Sequence, residues 1–257
     1  MNLEHSVVLL TGASSGIGHS LAKLLPKENC SLALIARRKD LLDNLVYEIR
    51  QKNCSIKTYK CDVSVIEEVR EVYNQIKNDF GKVDVTILNA GVSGRSEIAD
   101  FNSELAQDIL GPNILGITNW VDVLLPDLLN RKNGTIVGVS SIADLKGFPK
   151  SGLYNASKAA ASIFLESLRI ELKPYNIKVI TVRPGFVRTP MTDKNEFYMP
   201  LLMDADKAAQ IILAGIKKEK KIIQFPLLMV ILAGLVRLLP KRLFEYLAGK
   251  QLPKRKD

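Results

Sequence analysis

Short β-branched runs alternate with helix-length amphipathic stretches along most of this 257-residue chain, and that alternation limits the fold more than any other feature. Residues 7–10, 32–35, 56–59, 83–88, 135–139 and 179–182 are rich in apolar or β-branched residues and bounded by polar residues or glycine. Between them lie segments such as 66–80 and 101–129, where apolar residues recur at helical spacing. A strand that is apolar on both sides must be covered on both sides, so the pattern predicts a parallel sheet with helices on each face. Right-handed crossovers then give a doubly wound α/β fold. No linker rich in Pro, Gly or Ser and no repeat interrupts residues 1–216. One domain over residues 1–224 is expected, followed by an apolar and basic helical extension over 225–257. Pro112, inside the 101–129 segment, removes a helical hydrogen bond and predicts a kink beside Asn113.

Charge divides the chain unevenly. Lys and Arg total 36 and Asp and Glu 27, a net of +9. Residues 1–216 hold 25 basic and 24 acidic residues, a net of +1, while residues 217–257 hold 11 and 3, a net of +8. A polyanion-binding body is therefore not expected, nucleic acid is set aside, and questions of charged partners belong to the tail. Cys30, Cys54 and Cys61 form no C-x-x-C pair, and the only histidines are His5 and His19. No metal site is expected, and the reading is a reduced, cytoplasmic protein. Glu4 and His5 interrupt the N-terminus before a strand-like run begins, so no signal peptide is expected.

The first strand-like run leads directly into Thr11-Gly12-Ala13-Ser14-Ser15-Gly16-Ile17-Gly18 and then a helical pattern. Strand, glycine turn and helix suit a dinucleotide pyrophosphate. Small residues admit the phosphates to the backbone, and the helix N-terminus offers free N–H groups and a positive dipole end. The second run ends Ala36-Arg37-Arg38-Lys39. A carboxylate at that end would bond the ribose 2′-hydroxyl and repel a 2′-phosphate, but the place holds Ala36. Arg37 beside it can take the 2′-phosphate as a planar donor, which points to NADP(H) over NAD(H). The alternative is that Arg37, Arg38 and Lys39 only begin a solvated helix.

Ser140-Ser141 follows the 135–139 run, and Tyr154 and Lys158 stand four apart on one helix face. A free tyrosine has a pKa of about 10, and a nearby ammonium would be expected to lower it toward the working range.

With these residues in order, the sequence resembles the short-chain dehydrogenase/reductase family in its compact single-domain branch. The resemblance spans about residues 5–224. It rests on Thr11 to Gly18, Asp62-Val63, Asn89-Ala90-Gly91, Asn113, Ser141, Tyr154, Lys158 and Pro184-Gly185-Phe186-Val187-Arg188-Thr189. Leu88 departs from the family, where many members carry another Asn. The resemblance implies a Rossmann fold and hydride transfer between a nicotinamide and a carbonyl carbon. Tyr154 would be the general acid and Lys158 would lower its pKa and hold the nicotinamide ribose. Ser141, rather than Ser140, would bond the substrate carbonyl, and Asn113 would hold a water in a proton relay. Gly12, Ser14, Ser15, Gly16, Ile17, Gly18, Arg37, Asp62, Val63, Asn89, Ala90, Gly91, Pro184, Gly185, Val187 and Thr189 would line the cofactor cleft. Assembly into dimers or tetramers through the helices carrying Asn113 and Tyr154 is also implied. Reduction of a ketone or aldehyde by NADPH is the expected reaction. The alternatives are a silent cofactor-binding sensor and an NAD-linked alcohol dehydrogenase running oxidatively.

Residues 190–205 would close over the substrate. Their three Met, two aromatic and two Leu residues suggest an adaptable apolar lid, with residues 93–100 opposite. A hydrophobic carbonyl substrate fits that lining, although the same residues would also serve simply to pack the lid. The apolar run 227–236 would cover roughly 15 Å as a helix, about half of a ~30 Å hydrocarbon core, and cannot span it. Being apolar all round, it is expected to be buried in something. Basic residues flank it on both sides. Two readings stay open for 226–257: a peripheral anchor on an anionic membrane face, or a helix packed on its own domain or a sister subunit.

Overall fold

Strand β1 (Val7–Thr11) is buried along its whole length, which is why it lacks polar alternation: Val8 and Leu10 enter one core and Leu9 the other. The same division runs through β2 (Ser31–Ala36), with Leu32 and Leu34 on one side and Ala33 and Ile35 on the opposite side. In this computed structural model, which describes residues 1–49, 54–98, 101–195 and 197–250, these strands belong to one parallel sheet. The others are β3 (Ile56–Lys60), β4 (Val85–Leu88), β5 (Gly134–Val139), β6 (Ile177–Pro184) and β9 (Ile222–Phe225). Among the described residues their order is β3-β2-β1-β4-β5-β6-β9. The chain reverses its direction of winding between β1 and β4, and a crevice opens outside the carboxyl ends of strands at such a point.

Helices α1 (Gly16–Leu24), α2 (Lys39–Ile49) and α7 (Ala205–Lys217) cover one face. Helices α3 (Ile66–Phe80), α5 (Gly116–Arg131) and α6 (Gly152–Glu171) cover the other, around the fully buried Trp120. The doubly wound fold read from the sequence is the fold observed. Strand β4 is shorter at its start than the apolar run suggests. Val83 packs into the second core, and Asp84 ties the strand ends together, its carboxylate accepting from the Val7 amide and its own amide donating to the Val7 carbonyl, both at 2.9 Å.

Helix α4 (Ser103–Leu110) and α5 are joined by a π-helical turn, Gly111–Leu115, that contains Pro112. The expected kink is therefore a widened turn, which accommodates the N–H that proline lacks. Downstream, β7 (Val187–Arg188) pairs with β8 (Met203–Asp204) and closes the base of the loop between them.

After β9 come α8 (Leu227–Leu238) and α9 (Lys241–Gly249). Met229 and Ala248 are buried, while much of the remaining surface of both helices is open, so the chain's own domain supplies only part of the cover expected for the apolar run. An inward stripe of α8 packs at the end of the sheet, with Met229 beside Gly185 after β6. No described helix is long and apolar enough to cross a membrane. Ala99, Asp100, Glu196, Lys254, Arg255 and Lys256, all invoked from the sequence, lie outside the described residues.

Candidate active site

The carboxyl ends of β1, β4, β5 and β6 meet at one edge of the sheet and carry most of the expected site residues. Gly12 has φ +67°, and a Cβ there would stand 2.8 Å from the Ala90 Cα. A Cβ on Gly18 would meet the Gly12 carbonyl oxygen at 2.2 Å, so the turn closes only without side chains. Ser15 caps α1 in extended conformation without a side-chain hydrogen bond, and the first turn of α1 carries no acidic residue. Its amides and dipole are thus available to an anion, which fits the pyrophosphate of a dinucleotide. Ile17 instead packs against the core. Asn89 and Ala90 donate their amides to Thr11 Oγ1 at 3.0 Å, and the Asn89 side chain donates to the Thr11 and Gly12 carbonyls. Asn89 therefore holds the glycine loop in shape.

At the end of β2, Ala36 is buried and no carboxylate is present. Arg37, largely exposed, faces Asp62 at 3.6 Å, whereas Arg38 folds over the glycine loop and donates to Ser14 and Ser15 Oγ, both at 3.2 Å. The basic residue nearest the phosphate cradle is thus Arg38, which sequence reasoning had left with the solvated alternative. Burial pushes Asp62 up, but hydrogen bonds from Ser64 and the Arg37 charge outweigh it and keep the carboxyl below its ordinary range. Val63 is buried against Gly116.

Ser141 begins a 3-10 turn, Ile142–Leu145, its hydroxyl accepting from the Ala143 amide at 3.1 Å. Its hydroxyl also lies 3.4 Å from the Pro184 carbonyl, as donor, at the end of β6. Tyr154 and Lys158 come from the first turns of α6, on the side turned to β5. The Lys158 ammonium donates to the Val139 carbonyl at 3.1 Å and lies 5.8 Å from the centre of the Tyr154 ring. Burial lowers Lys158 to about 8. Burial raises the Tyr154 phenol above its ordinary value; the Ser141 hydroxyl, bonded to it, draws it part of the way back, and Asp144 adds to the rise. The sequence-based expectation was the reverse shift under the influence of Lys158. Lys158 engages a backbone carbonyl from a crowded position, so desolvation dominates both groups. The result is a neutral phenol beside a hydroxyl, an arrangement able to donate a proton.

Asn113 is fully buried. Its Oδ1 accepts from the Val92 amide at 2.8 Å, and its Nδ2 donates to the Val92 carbonyl and Ser157 Oγ, both at 2.9 Å. With both ends of the amide engaged, its side chain pins β4's exit loop to α6. A Cβ on Gly91 would lie 2.8 Å from Asn113 Oδ1 and 3.3 Å from Lys158 Nζ, so the loop passes where only glycine fits. Gly185 donates its amide to the Phe225 carbonyl, and Val187 accepts from Thr192 Oγ1. Thr189 faces Gly16, whose Cβ would meet its Cγ2 at 2.9 Å, so the two flanks of the crevice nearly touch.

Two groups escaped the sequence reading. Asn155 donates to the Ala143 carbonyl and accepts from the Phe148 amide, tying the segment after Ser141 to α6. Ser140 donates to the Lys158 carbonyl at 2.8 Å and accepts from Ser162, which also reaches Asp144, itself ion-paired with Arg183. Polar residues next to a catalytic motif are a weak signal of such a network; nothing in one sequence gives the partners.

Similarity to known proteins agrees with this geometry. A family model described as short chain dehydrogenase matches residues 6–197. An uncharacterized oxidoreductase of Myxococcus xanthus is 31% identical over 248 residues, covering 96% of this chain and 98% of its own. A 3-oxoacyl-(acyl-carrier-protein) reductase of Thermotoga maritima is 32% identical over 194 residues, with 76% of this chain and 79% of that one covered. Among solved structures, an alcohol dehydrogenase of the archaeon Thermococcus sibiricus, complexed with 5-hydroxy-NADP, is similar at a TM-score of 0.76. It is 26% identical and covers 86% of this chain and 94% of its own.

Proposed function

The chain belongs to the short chain dehydrogenase family and is an oxidoreductase, and on that premise we propose that it reduces a hydrophobic ketone or aldehyde with NADPH. One observation carries the reading: a neutral Tyr154 phenol, on a half-buried residue, stands beside Ser141, with the Lys158 ammonium on the same helix face. When bound, NADPH supplies a hydride to the carbonyl carbon. Ser141 and Tyr154 polarise the carbonyl oxygen by hydrogen bonding, and Tyr154 passes its proton to that oxygen as negative charge develops. Lys158 holds the ribose and keeps positive charge below the phenol. Asn113 fixes the exit of β4 against Ser157, the residue before Lys158.

The 2′-phosphate of NADPH would lie near Arg37, with Arg38 and the Ser14 and Ser15 hydroxyls completing the anion site. Charge-assisted donors and the missing carboxylate at Ala36 favour it over NADH. The archaeal relative's complex with an NADP derivative supports the same choice. A hydrophobic substrate is supported by the loop after β7, where Phe197 packs edge-on against Phe186 at 5.9 Å, and by the relative that reduces 3-oxoacyl groups. Ile163 and Ile170, exposed seven residues apart on α6, favour assembly of copies through that helix.

The test is NADPH and NADH oxidation across acyl, steroid-like and small aromatic ketones, for the natural chain and for Arg37→Asp and Arg38→Asp. NADPH-dependent turnover is expected, and each variant should lose at least about tenfold in kcat/KM with NADPH and little with NADH. Equal losses with both cofactors reject the NADP assignment, and no turnover on any carbonyl favours a silent binding protein.

A further inference from the structure

The outward side of the C-terminal helices is not explained by the reductase site. Leu227, Leu228, Ile231, Leu232, Leu235 and Leu238 are each between 48% and 80% exposed. At 100° per residue these six occupy an arc of about 140°, and the inward residues Met229, Ala233 and Val236 fall outside it. The stripe continues onto α9 through Leu243, Tyr246 and Leu247, all exposed. Among the described residues, this apolar surface is bordered by Arg237, Lys241, Arg242 and Lys250, and Glu245 is the acidic residue of the two helices.

The helices also touch the substrate side of the crevice. Met229 fills the space beside Gly185, where a Cβ would come within 2.5 Å of its sulfur. Phe244 packs edge-on against Phe148 at 5.5 Å, and Lys146 lies 5.2 Å above the Phe244 ring while donating to the Leu239 carbonyl at 3.4 Å. Residues 146–148 follow the turn that Ser141 begins.

We propose that the outer face of α8 and α9 is a docking surface for an anionic lipid bilayer, holding the substrate side of the site at headgroup level. The charge decides the occupant. The segment 217–257 carries +8 against +1 for the rest, and among the described residues Arg237, Lys241, Arg242 and Lys250 border the apolar stripe as anionic headgroups would border inserted side chains. A second copy suits this face poorly: a two-fold interface would bring the same basic groups together around one glutamate per copy. Twelve residues of α8 extend about 18 Å, too short to cross a ~30 Å core and suited to lying in its surface. The surface itself does not depend on the reductase reading; only the orientation of the substrate side rests on it.

The experiment is flotation of the full chain with vesicles of phosphatidylcholine plus phosphatidylglycerol, and of phosphatidylcholine alone, at low and high salt. Two variants accompany it, Ile231→Glu/Leu235→Glu and Lys241→Glu/Arg242→Glu, each checked for a native melting transition and for size in solution. The natural chain should float with anionic vesicles, at least about tenfold less with neutral ones and less at high salt. Both variants should lose about tenfold or more, with unchanged turnover of a water-soluble ketone in the absence of vesicles. Because Lys241→Glu/Arg242→Glu leaves the apolar stripe intact, it keeps the test valid if the other variant misfolds. A chain that stays at the bottom with anionic vesicles overturns the proposal, as does equal flotation on both vesicle types. Conversion of a dimer to a monomer by Ile231→Glu/Leu235→Glu, with flotation unaltered, overturns it in favour of a subunit interface. A chain that floats but turns over no ketone keeps the docking surface and removes the reductase reading.

Discussion

Lys158 must be charged to steer a phenol and a ribose, yet it is almost completely buried, and burial lowers it to about 8. Tyr154 moves the other way, so its proton stays in place across the neutral range. Reduction should therefore be steady below pH 8 and lose about tenfold in kcat/KM per unit above it, as the ammonium deprotonates. The sign for stability is opposite. Lys158 in the folded chain titrates below its ordinary value of 10.5, so between about 8 and 10.5 the unfolded chain holds more protons, and this group adds stability as pH rises. A pH–rate profile recorded beside melting curves separates the two, and a flat rate through pH 10 contradicts the role given to Lys158. Tyr154, Lys158 and Ser141 could be singled out in the sequence from the helical spacing of the first two and the family resemblance of all three, and the fold brings them to one place. Arg38, Asn155 and the Ser140–Ser162–Asp144–Arg183 chain were not, since each acquires its role from a partner distant in sequence.

Among the elements, β5 and α6 carry the site between them, and their spacing is set by Gly138. A Cβ there would stand 2.3 Å from Leu165 Cδ1, and Leu165 is wholly buried and has nowhere to move. Gly138→Ala should cost about 1–3 kcal/mol by overpacking and lower kcat by shifting Tyr154 and Lys158 away from Ser141. Leu165→Ala should itself be destabilising by about 2–5 kcal/mol, but the double variant should be more stable than the sum of the two losses predicts. Thermal melts of the four proteins measure this; strict additivity would mean that the two residues do not compete for space. Six of the seven parallel strands were legible, most clearly β1, β2, β4 and β5, because strands buried on both faces read as unbroken apolar runs. Their ends were less so: the Asp84 carboxylate bonds the Val7 amide where β4 begins, a tertiary contact without local signature. Pro112 marked the break between α4 and α5, but its form as a π-helical turn depends on Asn113 being drawn inward to Val92 and Ser157.

Across the whole molecule, the glycine loop, the Ser141 turn, the start of α6 and the C-terminal helices come together at the carboxyl edge of the sheet. The division of charge was legible from composition by position, and it separates a nearly neutral body from a basic end. The open outer face of α8 was not legible, because an apolar run shows that a helix seeks cover and not which of its sides obtains it. The central claim is that this edge reduces a carbonyl with a proton from Tyr154, and it is tested most directly by Tyr154→Phe. NADPH binding, followed by fluorescence, should be unchanged, while ketone-dependent NADPH oxidation falls by about a hundredfold to ten-thousandfold. A Tyr154→Phe protein that binds NADPH and reduces the ketone at an undiminished rate would contradict the claim.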